Sequence, residues 1–156
     1  MLKILRDLWA QNEHQLQEAI GKLDHFPDYE ELVKITFQNI YNQGPVEEYE
    51  YRCLNVDKIT VIDDGDYQGT MLFVIPFDAY QPDPRQYLIT HVYYGSCSYC
   101  DTLEHIRMMY DVPMAASGIK ELTNVCKDII TNTVKPYNHG WRHIDLFDHV
   151  EFEEEE

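Results

Sequence analysis

The fold turns on the stretch "KITVIDDGDYQGTMLFVIP", Lys58–Pro76. Its two ends read as strands, because Ile59 and Val61, then Met71, Phe73 and Ile75, recur with period two among β-branched and aromatic neighbours. Its centre reads as a turn. Asp64-Gly65 is a strong hairpin signal, and Gly69 adds a second conformationally permissive position. After the polar loop "DAYQPDPRQ" comes a third β-rich run, "YLITHVYY" (Tyr87–Tyr94). Three successive strands with short links predict an antiparallel meander.

Working outward, helical periodicity flanks the sheet on both sides. Leu2, Leu5, Trp9, Leu16 and Ile20 predict an amphipathic helix over 2–22. Asp28 is a suitable N-cap, with Glu30 and Glu31 in a first turn whose dipole favours negative charge. A second helix then covers 29–42, with Leu32, Val33, Phe37, Ile40 and Tyr41 facing the core, and "NQGP" (Asn42–Pro45) stops it. Beyond the sheet, a helix runs from Asp101 to Tyr110, with Asp101 or Thr102 as its cap and Pro113 as its terminator. A longer helix capped by Ser117 sets Ile119, Leu122, Val125, Cys126, Ile129 and Ile130 on one face. "KPYNHGW" breaks the chain, and "HIDLFDHVEFEEEE" predicts one short edge strand before a solvated acidic tail. The fold class is α+β: a small antiparallel meander of about three to four strands packed against about four helices. It forms a single domain over 1–150, followed by the tail 151–156.

The 156 residues suffice for one domain with a real core, and 44% hydrophobic content excludes a wholly disordered chain. Charge is the informative quantity: 28 acids against 12 Lys and Arg, net −16. That balance argues against direct binding to nucleic acid or to an anionic membrane surface, and for attraction to basic partners. The excess is localised. Residues 24–66 carry net −8 and 148–156 net −6, whereas 1–23 are neutral. A localised field gives a partner something to dock against. A solubilising surface is the competing explanation. The N-terminal "MLKILRDLWAQNEHQ" interrupts its apolar residues with Lys3, Arg6 and Asp7, unlike a secretory signal. With no run of about 18 apolar residues, a cytoplasmic location is expected.

In such a compartment the pair Cys97 and Cys100 in "GSCSYCDT" reads as metal or redox chemistry before disulfide. The spacing is half of a zinc site; His91, His105, Cys126, and the pair His139 and His143 are the available partners. The redox reading lacks the βαβ context it needs. A strand-to-helix turn with two buried thiols is the third reading. Asp63, Asp64 and Asp66 in "DDGDYQGT" could hold a divalent cation, but the spacing departs from the EF-hand pattern. A hairpin loop whose acids are solvated or cap their own backbone is the simpler account. The chain contains no HExxH, nucleophile elbow or P-loop, and no enzyme activity is expected from its motifs. Nine of the twelve tyrosines fall within 41–99, close to the acids, a combination that suits an Arg- and Lys-rich partner.

Two runs together, "VIDDGDYQGTMLFVIP" (61–76) and "YLITHVYYGSCSYCDTL" (87–103), resemble a family of small bacteriophage and mobile-element proteins with a DDGDYQGT…YGSCSxCDTL pattern. The likeness implies a life inside a bacterial host and carries over no catalytic residue or cofactor. The expected function is a phage-encoded acidic inhibitor of a host defence protein, a CRISPR effector or restriction nuclease, acting partly as a DNA mimic. Its expected contacts are Glu47, Glu48, Glu50, Asp63, Asp64, Asp66 and Tyr67, with the tail Glu153, Glu154, Glu155 and Glu156 steering the encounter. A homodimer is compatible with this reading. The alternative is a small-ligand or zinc-binding accessory protein using the DDGDYQGT loop and Cys97 and Cys100.

Overall fold

The computed structural model describes residues 2–44, 53–66, 68–79, 81, 86–96, 101–110 and 115–132. Helices α1 (Leu2–Gly21) and α2 (Tyr29–Asn39) precede strands β1 (Thr60–Asp63), β2 (Gly69–Pro76) and β3 (Tyr87–Tyr94). Helices α3 (Thr102–Met109) and α4 (Ala116–Ile130) follow. The strands form an antiparallel sheet in the order β1-β2-β3. This is the expected α+β fold. The expected edge strand beyond 142, the boundary at 150 and the terminator Pro113 lie outside the described residues.

Helix α4 is the centre of the helical layer and packs against α1, α2, α3 and β3. Its stripe of Leu122, Val125, Cys126 and Ile129 is buried, and Ile119 and Ile130 are half-buried beside it. Phe73 aligns with Val61 on one side and Thr90 on the other, and Met71 with Val92. These residues define the inward face of the sheet, because the Thr90 hydroxyl donates to the Ile129 carbonyl of α4 at 2.9 Å. Phe73, Ile75 and Val92 are buried there together with Leu16, Ile20, Leu32 and Phe37 from α1 and α2.

Local chemistry fixes the helix starts unevenly. Asp28 caps α2 by accepting from Glu31 N–H at 2.8 Å. Asp101 caps α3 by accepting from Leu103 N–H at 2.9 Å and Glu104 N–H at 3.1 Å. Helix α4 departs from expectation: its N-cap is Ala115, whose side chain bonds nothing, and Ser117 is already helical. Gly118, in the first turn, lies so close to the Tyr110 ring that a Cβ there would meet Cγ at 3.0 Å, so glycine is what lets α4 pack against the end of α3 at this point.

Helix α2 also ends earlier than its periodicity suggests, at Asn39, with a 3-10 turn over Tyr41–Gln43. Asn42 leaves the helix to serve another partner. Its Nδ2 donates to the Leu54 carbonyl at 2.9 Å and its Oδ1 accepts from Leu54 N–H at 2.8 Å. Leu54 bridges to Phe77, and Asn55 N–H donates to the Pro76 carbonyl at 2.8 Å. One amide side chain thus ties the end of α2 to the far end of β2.

Candidate functional site: an acidic interface

Of the residues expected to meet a partner, the structure describes Asp63, Asp64 and Asp66. Glu47, Glu48, Glu50, Tyr67, Glu153, Glu154, Glu155 and Glu156 lie outside the described residues, as do the metal candidates Cys97 and Cys100. All three described acids are exposed, at the end of β1 and in the connection to β2. The turn that presents them is held by its own acids. Asp63 Oδ1 accepts from Gly65 N–H at 3.0 Å, and Asp64 Oδ1 accepts from Thr70 N–H at 2.7 Å. The Tyr94 hydroxyl on β3 donates to Asp63 Oδ1 at 2.5 Å across the end of the sheet.

The glycines of this turn serve in a different way from the hairpin expectation. Neither Gly65 nor Gly69 takes a positive φ. They permit close approach instead: a Cβ on Gly65 would collide with the Gln68 carbonyl, and one on Gly69 would meet Asp64 Oδ1 at 2.7 Å.

Electrostatics follow the same contacts. The Tyr94 hydroxyl, then the Gly65 N–H, hold the Asp63 carboxyl below its ordinary range, because both donate to the charged form. The reciprocal effect pushes the Tyr94 phenol up to about 12. Asp63 therefore stays ionised at any physiological pH. Among the described residues no Lys or Arg pairs with Asp63, Asp64 or Asp66; the Lys and Arg ion pairs there are Lys34 with Asp57 and Arg107 with Glu104.

The second expected acidic segment is attached elsewhere. Gly44 and Cys53 bracket residues 45–52, and the Asn42–Leu54 pair holds their stems together beside Phe77. That is the Pro76 end of β2, whereas the Asp63–Asp66 turn is at its Gly69 end. The two attachment points are therefore separated by the length of an eight-residue strand, about 23 Å. The two attachments lie at opposite ends of β2.

The described histidines and cysteines do not converge. His91 is buried on β3, Cys126 is buried in α4 with burial raising its thiol to about 12, and Cys53 is half-buried near Asn42. No group of three or more His, Cys, Asp or Glu among the described residues could hold a metal ion. No helix among them is long and apolar enough to cross a membrane.

Sequence reasoning missed the outward face of the sheet. Ile62 aligns with Leu72, and Thr60 with Val74 and Ile89. Ile62 and Ile89 are 51% and 60% exposed. The signal was present in "TMLFVIP", which is apolar at both parities, whereas a sheet with one wet face alternates.

Comparison with known proteins adds no relative: no protein-family model, curated protein or solved structure matches the chain.

Proposed function

We propose that this protein is a non-enzymatic acidic inhibitor. It binds a basic, nucleic-acid-binding protein of a bacterial host, such as a defence nuclease, by occupying with carboxylates a surface that otherwise takes phosphates. The observation that carries the reading is the Asp63–Asp66 turn: three exposed carboxylates, two of them held by hydrogen bonds and none neutralised by a described Lys or Arg. Charges already held in place lose little freedom on binding, which favours affinity as well as encounter rate. The spacing of about 23 Å to the attachment of 45–52 is comparable to the rise of about seven base pairs along the DNA axis. The net charge of −16 steers the encounter, and the likeness to phage proteins supplies the host context.

The test is a salt-resolved pull-down from a bacterial host lysate, followed by titration of the captured protein against the inhibitor. Affinity is expected to fall at least tenfold between 50 mM and 300 mM salt, as charge-driven binding does. A triple variant, Asp63→Asn, Asp64→Asn and Asp66→Asn, is expected to weaken it comparably at low salt. Affinity that is flat across salt and indifferent to those substitutions would sink the proposal.

A further inference from the structure

The outward face of the sheet is built to be covered. Its rows are Ile62, Leu72 and His91, then Thr60, Val74 and Ile89, flanked by Thr70 with Tyr93 and by Tyr87. These rows contain no Asp, Glu, Lys or Arg, in a chain where 26% of residues are charged. Leu72 and Val74 on the central strand are half-buried and His91 on β3 is buried, whereas Ile62 and Ile89 stand out at 51% and 60% exposure. A sheet face left to water alternates to polar residues; Ile62, Leu72, Val74 and Ile89, at the middle of this one, depart from that rule. Exposed apolar surface of this kind marks an interaction site.

We propose that this face is the apolar centre of the partner interface, and that its occupant is a protein surface with an apolar middle and a Lys- and Arg-rich rim. The inference rests on the acidic reading above and adds where the interface is centred. Size and charge together select the occupant. Two strands of eight residues and one of four present a footprint of roughly 310 Å². A stable interface of standard size takes about 800 Å² from each partner, so more than half must come from the surroundings of the face. Those surroundings are acidic on balance: the exposed Asp64 and Asp66 stand at one end of the strands, and the exposed Asp78 and Lys58 at the other. A second copy of this chain would bring acid against acid across the rim. A basic rim complements it, giving the arrangement of apolar core and charged margin that protein interfaces share.

The full chain is titrated by NMR with two synthetic peptides of equal length and charge, one alternating Lys and Leu, the other alternating Lys and Ser. Its oligomeric state is followed by sedimentation. The Lys-Leu peptide is expected to bind at least tenfold more tightly and to shift the signals of Ile62, Leu72, Val74 and Ile89. Its advantage is expected to vanish in an Ile62→Ser, Ile89→Ser variant, whose exposed substitutions leave the melting temperature nearly unchanged. Equal affinity for both peptides overturns the inference while leaving the acidic reading intact. No binding of either at low salt sinks both. A dimer dissolved by the double substitution would make the occupant a second copy. Contacts between the Ile62 and Ile89 methyls and residues 133–156 in the free chain would make it the protein's own C-terminal stretch. Either result overturns the assignment.

Discussion

Asp101 is a buried carboxylate with both oxygens engaged. Oδ1 accepts from Leu103 and Glu104 N–H and from the buried Tyr29 hydroxyl at 3.2 Å; Oδ2 accepts from Gly95 N–H at 2.9 Å. It caps α3 and closes the chain between β3 and α3, the stretch that holds Cys97 and Cys100. Burial, then the nearby carboxylate, push the Tyr29 phenol well above its ordinary value, so it remains a donor. Asp101→Ala removes the cap and leaves two donors without an acceptor, a loss of roughly 3 kcal/mol. Thermal unfolding should then move down by about 6–12 °C in a domain of this size. Tyr29→Phe removes one hydroxyl and should cost about 1 kcal/mol. Equal shifts for the two variants would show that Asp101 does not hold α3.

His25 offers a pH test at the same scale. Its Nδ1 lies 2.7 Å from Asp24 Oδ1 and its Nε2 2.5 Å from Glu31 Oε2. The Asp24 contact, then Glu31, raise the imidazole above 6.5. Because the folded value is raised, the stabilisation is fully present below the unfolded value and is lost as pH rises through the folded one. An NMR titration of the ring should place the wild-type midpoint above 6.5, and Glu31→Gln should lower it. An unmoved midpoint would mean that the Glu31 contact is absent in solution.

At the scale of elements, legibility depended on whether a boundary is set by local chemistry or by packing. The starts of α2 and α3 were readable because Asp28 and Asp101 carry the capping group themselves. The start of α4 was not, because Ser117 looks like a cap while Ala115, whose side chain bonds nothing, holds that position and Gly118 packs close against Tyr110. The end of α2 was hidden for the same reason: only the fold shows that Asn42 pairs with Leu54, twelve residues away. Helix α4 gives a direct check. Ala115 already has extended backbone, φ −67° and ψ 156°, suited to a capping side chain it lacks. Ala115→Ser should stabilise by about 0.5–1 kcal/mol. Ser117→Ala should change stability by less than about 0.5 kcal/mol. Denaturant midpoints measure both, and a large loss on Ser117→Ala would restore it as the cap.

Over the whole molecule, composition announces an acid-rich chain, but the layout of its acids needs the fold. The acids of 63–66 and of 45–52 are close in sequence, yet β2 holds their attachments at opposite ends, and the apolar face between those ends emerges only from strand register. The same charge acts on stability and on binding with opposite sign. The ion pairs described are mostly exposed and contribute little each, so the dominant electrostatic effect on folding is repulsion within a chain of net charge −16. Salt shortens the screening length from about 30 Å at 0.01 M to about 8 Å at 0.15 M. Repulsion among the acids then weakens, and the melting temperature should rise across that range. Attraction to a basic partner weakens over the same range, so the dissociation constant should rise as well. A melting temperature that falls with salt would mean that the ion pairs, such as Lys34 with Asp57, outweigh the repulsion. The acids would then be partnered within the fold and less available to a basic surface, so the stability measurement also bears on the interface.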